Sequence, residues 1–190
     1  MALNSLTKDL LSAISKGISS TKILPVPEGG QVTMASLDFT DAGQIFSIED
    51  SFALDWGEPT LTEVKVDQGL ATIDVKIEQG EITFAANYPT IAEAAMKEFF
   101  KASTSQVTIT GDATHSYKGT SIFTDPKTTE ASLLIEDQNQ EFAVVLARVS
   151  LTARLAYDSD TNIWYIGLDG RVLTNLKSGE GDILVAKKTA

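Results

Sequence analysis

Residues 70–77 read LATIDVKI, and from Ala71 onward apolar and polar side chains alternate at every position. The side chains that would share one face of an extended chain are Ala71, Ile73, Val75 and Ile77. A period of two is typical of a β-strand with one buried and one solvated face. Residues 79–80 (QG) predict a tight turn, and alternation resumes over residues 81–86, so the whole stretch is predicted to form an antiparallel hairpin.

Similar stretches recur on the C-terminal side of this hairpin. Further strands are predicted at residues 106–110, 132–136, 142–150, 152–157, 162–167, 171–177 and 182–186. Strands and helices do not alternate along the chain, which argues against a doubly wound parallel sheet. The sequence therefore predicts a mainly β fold of roughly nine or ten strands, an antiparallel β-sandwich or β-barrel, with one N-terminal helix and one inserted helix.

The two predicted helices are marked by a different period. Residues 3–16 carry an apolar stripe at steps of three and four, and Gly17 is a natural stop. This stripe consists of Leu3, Leu6, Leu10, Ile14 and Ile18. A second helix is predicted over residues 90–101, which contain no proline or glycine. Thr90 and Glu93 have the spacing of a capping box at its start. The broad apolar face of this second helix is expected to cover the sheet.

A connector is predicted between the first helix and the β region. Residues 19–31 contain Pro25, Pro27, Gly29 and Gly30, a composition that cannot hold a helix. We therefore expect an N-terminal helical arm and linker over residues 1–31 and a single β-sandwich or β-barrel domain over residues 32–190. A helix of this length is marginal in water alone, so its stripe is a candidate assembly interface as well as a candidate part of the core.

The composition excludes several classes of site. The 190 residues include no cysteine, which excludes disulfides, thiolate metal sites and cysteine nucleophiles. The net charge of −11 is concentrated in residues 38–81, and such an acidic surface repels the phosphates of nucleic acids. No stretch has the composition of a signal peptide or of a membrane-spanning helix, so neither export nor a membrane partner is expected.

Few residues could carry catalysis or hold a metal ion. The single histidine, His115, has no nucleophile elbow to accompany it, and the chain has no phosphate-binding glycine loop. Asp158, Asp160 and Asn162 have the spacing of the first calcium ligands in a calcium loop, but Ile163 stands where that loop needs glycine. A hairpin turn is the preferred interpretation. We therefore predict no enzyme activity, no catalytic residue, no metal and no cofactor.

One long segment lacks a clear period. Residues 112–130 are polar and rich in turn-forming residues, yet they include Tyr117, Ile122 and Phe123. Long loops in compact domains are usually functional or disordered. These three apolar residues are therefore either part of an assembly interface covered by a partner, or the apolar tips of a hairpin that folds back on the same domain.

The order of these parts carries a resemblance. An N-terminal arm is followed by the acidic segment 43–59 (GQIFSIEDSFALDWGEP), a hairpin over residues 64–86, the inserted helix 90–101, the long polar segment and the terminal strands. This layout is similar to that of the tail tube (major tail) proteins of long-tailed bacteriophages and of the related ring-forming tube proteins of contractile injection systems.

The resemblance implies a structural virion protein, assembled in the host cytoplasm, whose copies close into hexameric rings. Stacked rings would form a tube through which DNA passes without specific binding, with the acidic surplus facing the lumen. The implied partners are further copies of the chain and other phage tail or virion proteins. The alternative function is that of a monomeric β-sandwich module that binds a carbohydrate or another ligand, with Trp56, Trp164 or the turn at Asp158 as its recognition surface.

Overall fold

The structure is a computed structural model that describes residues 18–45, 51–65, 72–89 and 93–188. Within these ranges the chain is mainly β and its strands pair antiparallel, which confirms the predicted fold class. A 3-10 turn lies at Met34–Ser36. The elements are β1 Ile18–Pro25, β2 Gly43–Ile45, β3 Ala53–Trp56, β4 Thr60–Lys65, β5 Thr72–Glu78, β6 Ile82–Tyr88, α1 Glu93–Phe99, β7 Ala102–Thr110, β8 Ser116–Ile122, β9 Thr128–Asp137, β10 Phe142–Asp158, β11 Ile163–Val172 and β12 Ile183–Lys187.

The main sheet has eight strands, in the order β2-β1-β9-β10-β11-β6-β3, with β12 paired to β10. The 17-residue strand β10 lies at its centre and changes neighbour along its length. Its first residues pair with β12 up to Leu146, and its later residues pair with β11 from Val149 onward. A register shift between Leu146 and Val149 in the pairing with β9 marks the change. Such an irregularity bends a strand and lets one sheet curve around a core.

The core lies on one face of this sheet. Side chains from four strands (β6, β9, β10 and β11) and from α1 form a single buried cluster, which includes Phe84, Phe99, Leu133, Leu146, Leu151 and Leu168. Helix α1 packs against it through Phe99, and Ala95 and Met96 are partly buried beside it. The predicted inserted helix is therefore confirmed over the residues that the structure describes, and it covers the sheet as expected.

The opposite face of the sheet is covered by two loops that Asn175 joins. The side chain of Asn175 accepts a hydrogen bond from the Val32 backbone N–H at 3.0 Å and donates one to the Val32 carbonyl at 2.8 Å. Both residues are buried. Nearby, Arg148 donates to both carboxylate oxygens of Glu130 at 2.7 and 2.9 Å, and this bidentate bond lowers the pKa of Glu130. These contacts hold the loops before β2 and after β11 against the sheet.

The curvature of the sheet brings Tyr88 of β6 close to Thr21 of β1, although three strands lie between β6 and β1. Both side chains are buried. Within the described part of the chain, neither hydroxyl makes a hydrogen bond of good geometry, although Thr21 lies near enough to moderate the Tyr88 pKa. Burial dominates and raises the pKa of Tyr88 to about 12. The tyrosine therefore strongly favours its neutral form in the folded protein.

We expect Tyr88→Phe to change the alkaline stability of the protein. Because unfolded tyrosine ionises near pH 10 and folded Tyr88 near 12, its contribution to stability is complete below pH 10 and is lost as the pH rises to about 12. The total loss is roughly 2 to 3 kcal/mol, since one pKa unit corresponds to about 1.4 kcal/mol. The substitution should remove this loss and leave stability at neutral pH unchanged or slightly higher, because the hydroxyl is poorly bonded.

Urea unfolding at pH 9 to 12 measures this effect, with Tyr117→Phe, which removes an exposed hydroxyl, as the matched control. A Tyr88→Phe variant that loses stability with pH as steeply as the wild type would contradict the assignment.

The N-terminal part of the structure corrects one expectation. The segment predicted to be a connector over residues 19–31 begins with a strand: β1 pairs with β9 from Ile18 opposite Asp137 to Pro25 opposite Ala131. Ile18 therefore belongs to this strand and not to a helical stripe, and β1 joins the sheet although it precedes the predicted boundary at residue 31. The prolines end this strand and do not exclude it. Leu3, Leu6, Leu10 and Ile14, and the predicted helix that carries them, lie outside the described residues.

A second correction concerns the hairpin predicted over residues 70–86. Both strands exist, but β5 pairs with β4, and β6 pairs with β3 and β11. Trp56 lies opposite Ile82 and Thr60 lies opposite Glu78, so one register continues across both pairs. Strands β3 to β6 thus form one long ribbon, of which β4 and β5 leave the main sheet. We call the β4–β5 part the first arm.

Gly57 and Gly80 explain why residues 79–80 do not turn. The Gly57 N–H donates to the Glu81 carbonyl at 3.0 Å, and a Cβ atom at Gly80 would lie 2.2 Å from the Gly57 carbonyl oxygen. The two strands of the ribbon approach each other too closely here for a side chain at Gly57 or Gly80. Glycine here permits a close backbone approach and not the turn that the sequence suggested.

Candidate assembly interface

Strands β7 and β8 form a second arm that is separate from the main sheet. They pair from Ala102 opposite Ile122 to Thr110 opposite Ser116, and no other strand of the described residues joins them. Most of their side chains are exposed. The segment predicted to be a long loop, residues 112–130, is thus a hairpin strand followed by the start of β9. Of the two alternatives the hairpin is observed, but Tyr117 and Phe123 stay exposed and only Ile122 is half-buried.

The second arm has one apolar face. Directly opposed residues of an antiparallel pair share a face, and Ile109 lies opposite Tyr117 while Val107 lies opposite Gly119. Val107, Ile109 and Tyr117 are 46, 61 and 58% exposed and border one open cleft. Exposed apolar side chains are costly in water. An isolated two-stranded hairpin is also only marginally stable by itself. This face is the best candidate for an interface.

The predicted interface residues fall at different parts of the arm. Tyr117 lies on the apolar face, whereas Ile122 and Phe123 lie at its base, where Ile122 is half-buried and Phe123 is 54% exposed. Val107 and Ile109 were not among the predicted interface residues. The sequence feature that points to Val107 and Ile109 is the alternation in residues 106–110 (QVTIT). It predicts a strand but does not indicate that the apolar side of this strand stays uncovered.

The end of the second arm is a turn built around Asp112. This carboxylate accepts hydrogen bonds from the Thr114 N–H at 2.7 Å and the Thr114 hydroxyl at 2.8 Å, and it lies 2.9 Å from His115 Nδ1. The two bonds from Thr114, followed by the contact with His115, lower the pKa of Asp112 to about 2.

Asp112, Thr114 and His115 hold the three chemical groups of a catalytic triad, but their arrangement cannot relay a proton. The Thr114 hydroxyl lies 2.8 Å from His115 Nδ1, the same ring nitrogen that faces Asp112. A triad needs the acid on one ring nitrogen and the hydroxyl on the other. The His115 side chain is also 63% exposed, so the arrangement serves the turn.

A second exposed apolar surface lies at the end of the β10–β11 hairpin. Tyr157 lies opposite Trp164, with ring centroids 5.2 Å apart and planes tilted by 53°. Their side chains are 48 and 53% exposed, and Leu155, on the same face, is 37% exposed. We call Leu155, Tyr157 and Trp164 the aromatic tip.

The turn of this hairpin is the predicted one. Asp158 accepts from the Asp160 N–H at 2.9 Å and from the Thr161 hydroxyl at 2.7 Å, and Asn162 adopts φ of 57°, a left-handed conformation that asparagine tolerates. The Thr161 bond is the main cause that lowers the pKa of Asp158. The Asp158 oxygens thus cap the turn. No cluster of three acidic or histidine side chains that could hold a metal ion occurs among the described residues.

Trp56 and Trp164 do not form one binding platform. Trp56 lies level with Ile82 at one end of β6, whereas Trp164 lies beyond Ile166, which pairs with Tyr88 at the other end of β6. Six residue steps along a strand span roughly 20 Å. Trp56, 57% exposed in β3, is therefore a separate surface residue.

Neither a family nor a relative identifies the chain. No protein-family model matches it, and no curated protein matches it either. Among the described residues, no helix has the length and apolar character needed to cross a bilayer.

Proposed function

We propose that this protein is a structural subunit that assembles with copies of itself. The observation that supports this most is the apolar face of the second arm, where Val107, Ile109 and Tyr117 stand about half exposed on a ribbon that projects from the sheet. Burying each such side chain fully would stabilise a contact by roughly 1.5 to 3 kcal/mol, and by about half of that from its present exposure. A partner surface would also stabilise the ribbon itself.

The kind of assembly proposed is the tail tube of a bacteriophage or of a related contractile injection system. Copies would close into rings, hexameric by the resemblance, and the rings would stack into a tube, with other tail or virion proteins at its ends. Projecting arms suit the assembly of a ring, because they can reach from one subunit to the next. In a ring, each contact joins two different surfaces of neighbouring copies. The exposed acidic residues of the β3–β6 region, among them Asp55, Glu58 and Glu78, would keep DNA from adhering.

The N-terminal stripe of Leu3, Leu6, Leu10 and Ile14 is a further assembly element in this proposal. The chain enters the sheet at Ile18, the first residue of β1. A segment attached there could dock either on its own domain or on an adjacent copy.

The second candidate function is that of a monomeric carbohydrate- or ligand-binding module, and one observation favours it. The exposed, tilted pair of Tyr157 and Trp164 resembles the aromatic surfaces on which sugar rings stack. Titration of the protein with oligosaccharides, followed by tryptophan fluorescence, would reveal such binding. The control is Trp164→Ala.

We expect the protein to associate beyond the 20.4 kDa monomer as its concentration rises. Size-exclusion chromatography with multi-angle light scattering measures the mass, and negative-stain microscopy at high concentration shows whether rings or tubes form. Discrete monomers at every concentration, pH and salt level tested would refute the proposed function.

A further inference from the structure

We propose that two copies of the chain pair antiparallel through the outer edges of their β12 strands, across a two-fold axis. This contact does not involve the second arm, so it goes beyond the self-assembly proposed above. Strand β12 pairs with β10 on one side, and no strand of the described residues pairs with its other side. An open strand edge carries backbone groups to which a strand of another chain can bond.

Hydrogen bonds at the two ends of β12 determine which of its backbone groups face outward. The Ala147 N–H donates to the Asp182 carbonyl at 2.9 Å, and the Lys188 N–H donates to the Glu141 carbonyl at 2.8 Å. Bonded positions alternate along an antiparallel pair, so the even-numbered residues of this segment bond to β10 and the odd-numbered residues face away from it. The residues of the outer edge are Ile183, Val185 and Lys187.

This outer edge is uncovered in a single chain. Among the described residues, no hydrogen bond reaches the outward N–H and carbonyl groups of β12. Val185 is 72% exposed, and Leu184, on the other face of the strand, is 42% exposed. Proteins usually guard an open edge with charges, proline or a bulge, and residues 183–186 (ILVA) contain neither a charge nor a proline.

Backbone geometry and charge together select one register. Two β12 edges bond only where an outward residue of one copy lies opposite an outward residue of the other. When Val185 lies opposite Val185 of the second copy, this condition is met along the whole strand. The same register places Leu184 opposite Ala186, and Lys188 opposite Asp182 of the second copy. No other register brings this lysine opposite this aspartate.

The position that Lys188 would reach is acidic and open. Asp182 accepts a hydrogen bond from the Asn175 N–H at 2.6 Å, which holds its carboxylate beside the start of β12. Asp182 and Glu81 border one polar cleft. Arg171 already pairs with Glu81 at 3.0 Å, whereas no cation of the described residues pairs with Asp182. The exposed Lys188 of a second copy supplies the missing charge.

The symmetry of the contact limits its size. The same edge is used on both copies, so the contact is complete in a dimer and leaves the second arm of each copy free. The dimer should therefore form even when the apolar face of the second arm is blocked.

Disulfide formation tests the register directly, because the sequence contains no cysteine. Bonded residues directly opposite each other have Cα atoms roughly 5.5 Å apart, a distance that a disulfide spans. We expect oxidation to link Val185→Cys into a dimer. Leu184→Cys is the matched control, since its diagonal distance to the same residue of the second copy is roughly 7 to 8 Å. A mixture of Leu184→Cys and Ala186→Cys should link, because these positions lie opposite each other.

The outcome that overturns the inference is a Val185→Cys variant that stays monomeric on oxidation, or a Leu184→Cys variant that links equally well. If the wild type forms larger assemblies while Val185→Cys does not link, the proposed function stands and this contact is wrong. If Val185→Cys links but nothing larger than a dimer ever forms, this contact stands and the proposed tube assembly fails.

A charge reversal tests the contact between Lys188 and Asp182 without thiols. Lys188→Glu should raise the dissociation constant of the dimer roughly tenfold, because two attractive pairs become repulsive. Lys187→Glu makes the same change of charge one residue away, opposite Ile183 of the second copy, and should have a much smaller effect. Sedimentation equilibrium of both variants in an Ile109→Lys background measures the dimer alone. Equal effects of the two reversals would overturn the proposed register.

Discussion

Excision of the second arm should leave the sheet folded and abolish assembly of the protein beyond a dimer. Ala102 and Ile122 lie opposite each other at the base of the arm, so two glycines can join them in place of residues 103–121. The excised strand residues contribute no buried side chain to the core. We therefore expect the melting temperature to fall by only a few degrees, since roughly 2 to 4 °C corresponds to 1 kcal/mol in a domain of this size.

A smaller excision provides the matched control. Thr110 and Ser116 also lie opposite each other, so an Asn-Gly turn can replace residues 111–115 and keep Val107, Ile109 and Tyr117 in place. This variant should associate like the wild type although it lacks Asp112 and His115. Light scattering gives the mass of each variant, and calorimetry gives its melting temperature. Loss of the cooperative transition after the larger excision would mean that the arm is part of the folding unit.

Local alternation of side chains predicted where strands occur better than it predicted which strands pair. The strand over residues 72–78 follows from its period of two, because a half-buried strand needs that pattern whatever its neighbour is. Its partner, β4, precedes it, whereas the prediction placed β6 there. The misleading signal was Gly80. Glycine is common in turns, but here it allows the backbone to approach Gly57 closely. A sequence does not distinguish these two uses of glycine.

The same limit explains why Val107 and Ile109, two of the three apolar residues of the arm face, are not among the predicted interface residues. The alternation of Val107 and Ile109 in β7 is the same as that of Phe84 and Ala86 in β6, yet the first pair is exposed and the second is buried. The period identifies an apolar face, but only the three-dimensional arrangement shows what covers that face. Tyr117 is predicted as an interface residue because it lies in a polar segment without a clear period and an apolar side chain there is costly to leave bare in water.

The core should respond to truncation far more strongly than the surface, and Leu146→Ala is the sharpest case. Leu146 is fully buried at the bend of β10, opposite Leu133 on β9 and Ile183 on β12. Three strands meet there, so the surrounding chains cannot easily close the cavity. The loss should be about 2 to 5 kcal/mol, or roughly 5 to 15 °C in melting temperature.

Leu176→Ala removes the same atoms from a side chain that is 55% exposed, and it should cost less than about 1 kcal/mol. Urea unfolding of both variants, followed by tryptophan fluorescence, isolates the effect of burial because the chemical change is identical. The Leu146 variant should also retain the wild-type urea dependence, since the surface exposed on unfolding hardly changes. Equal losses for the two variants would show that the bend of β10 is not the centre of the core, and that the sheet closes around a different set of side chains.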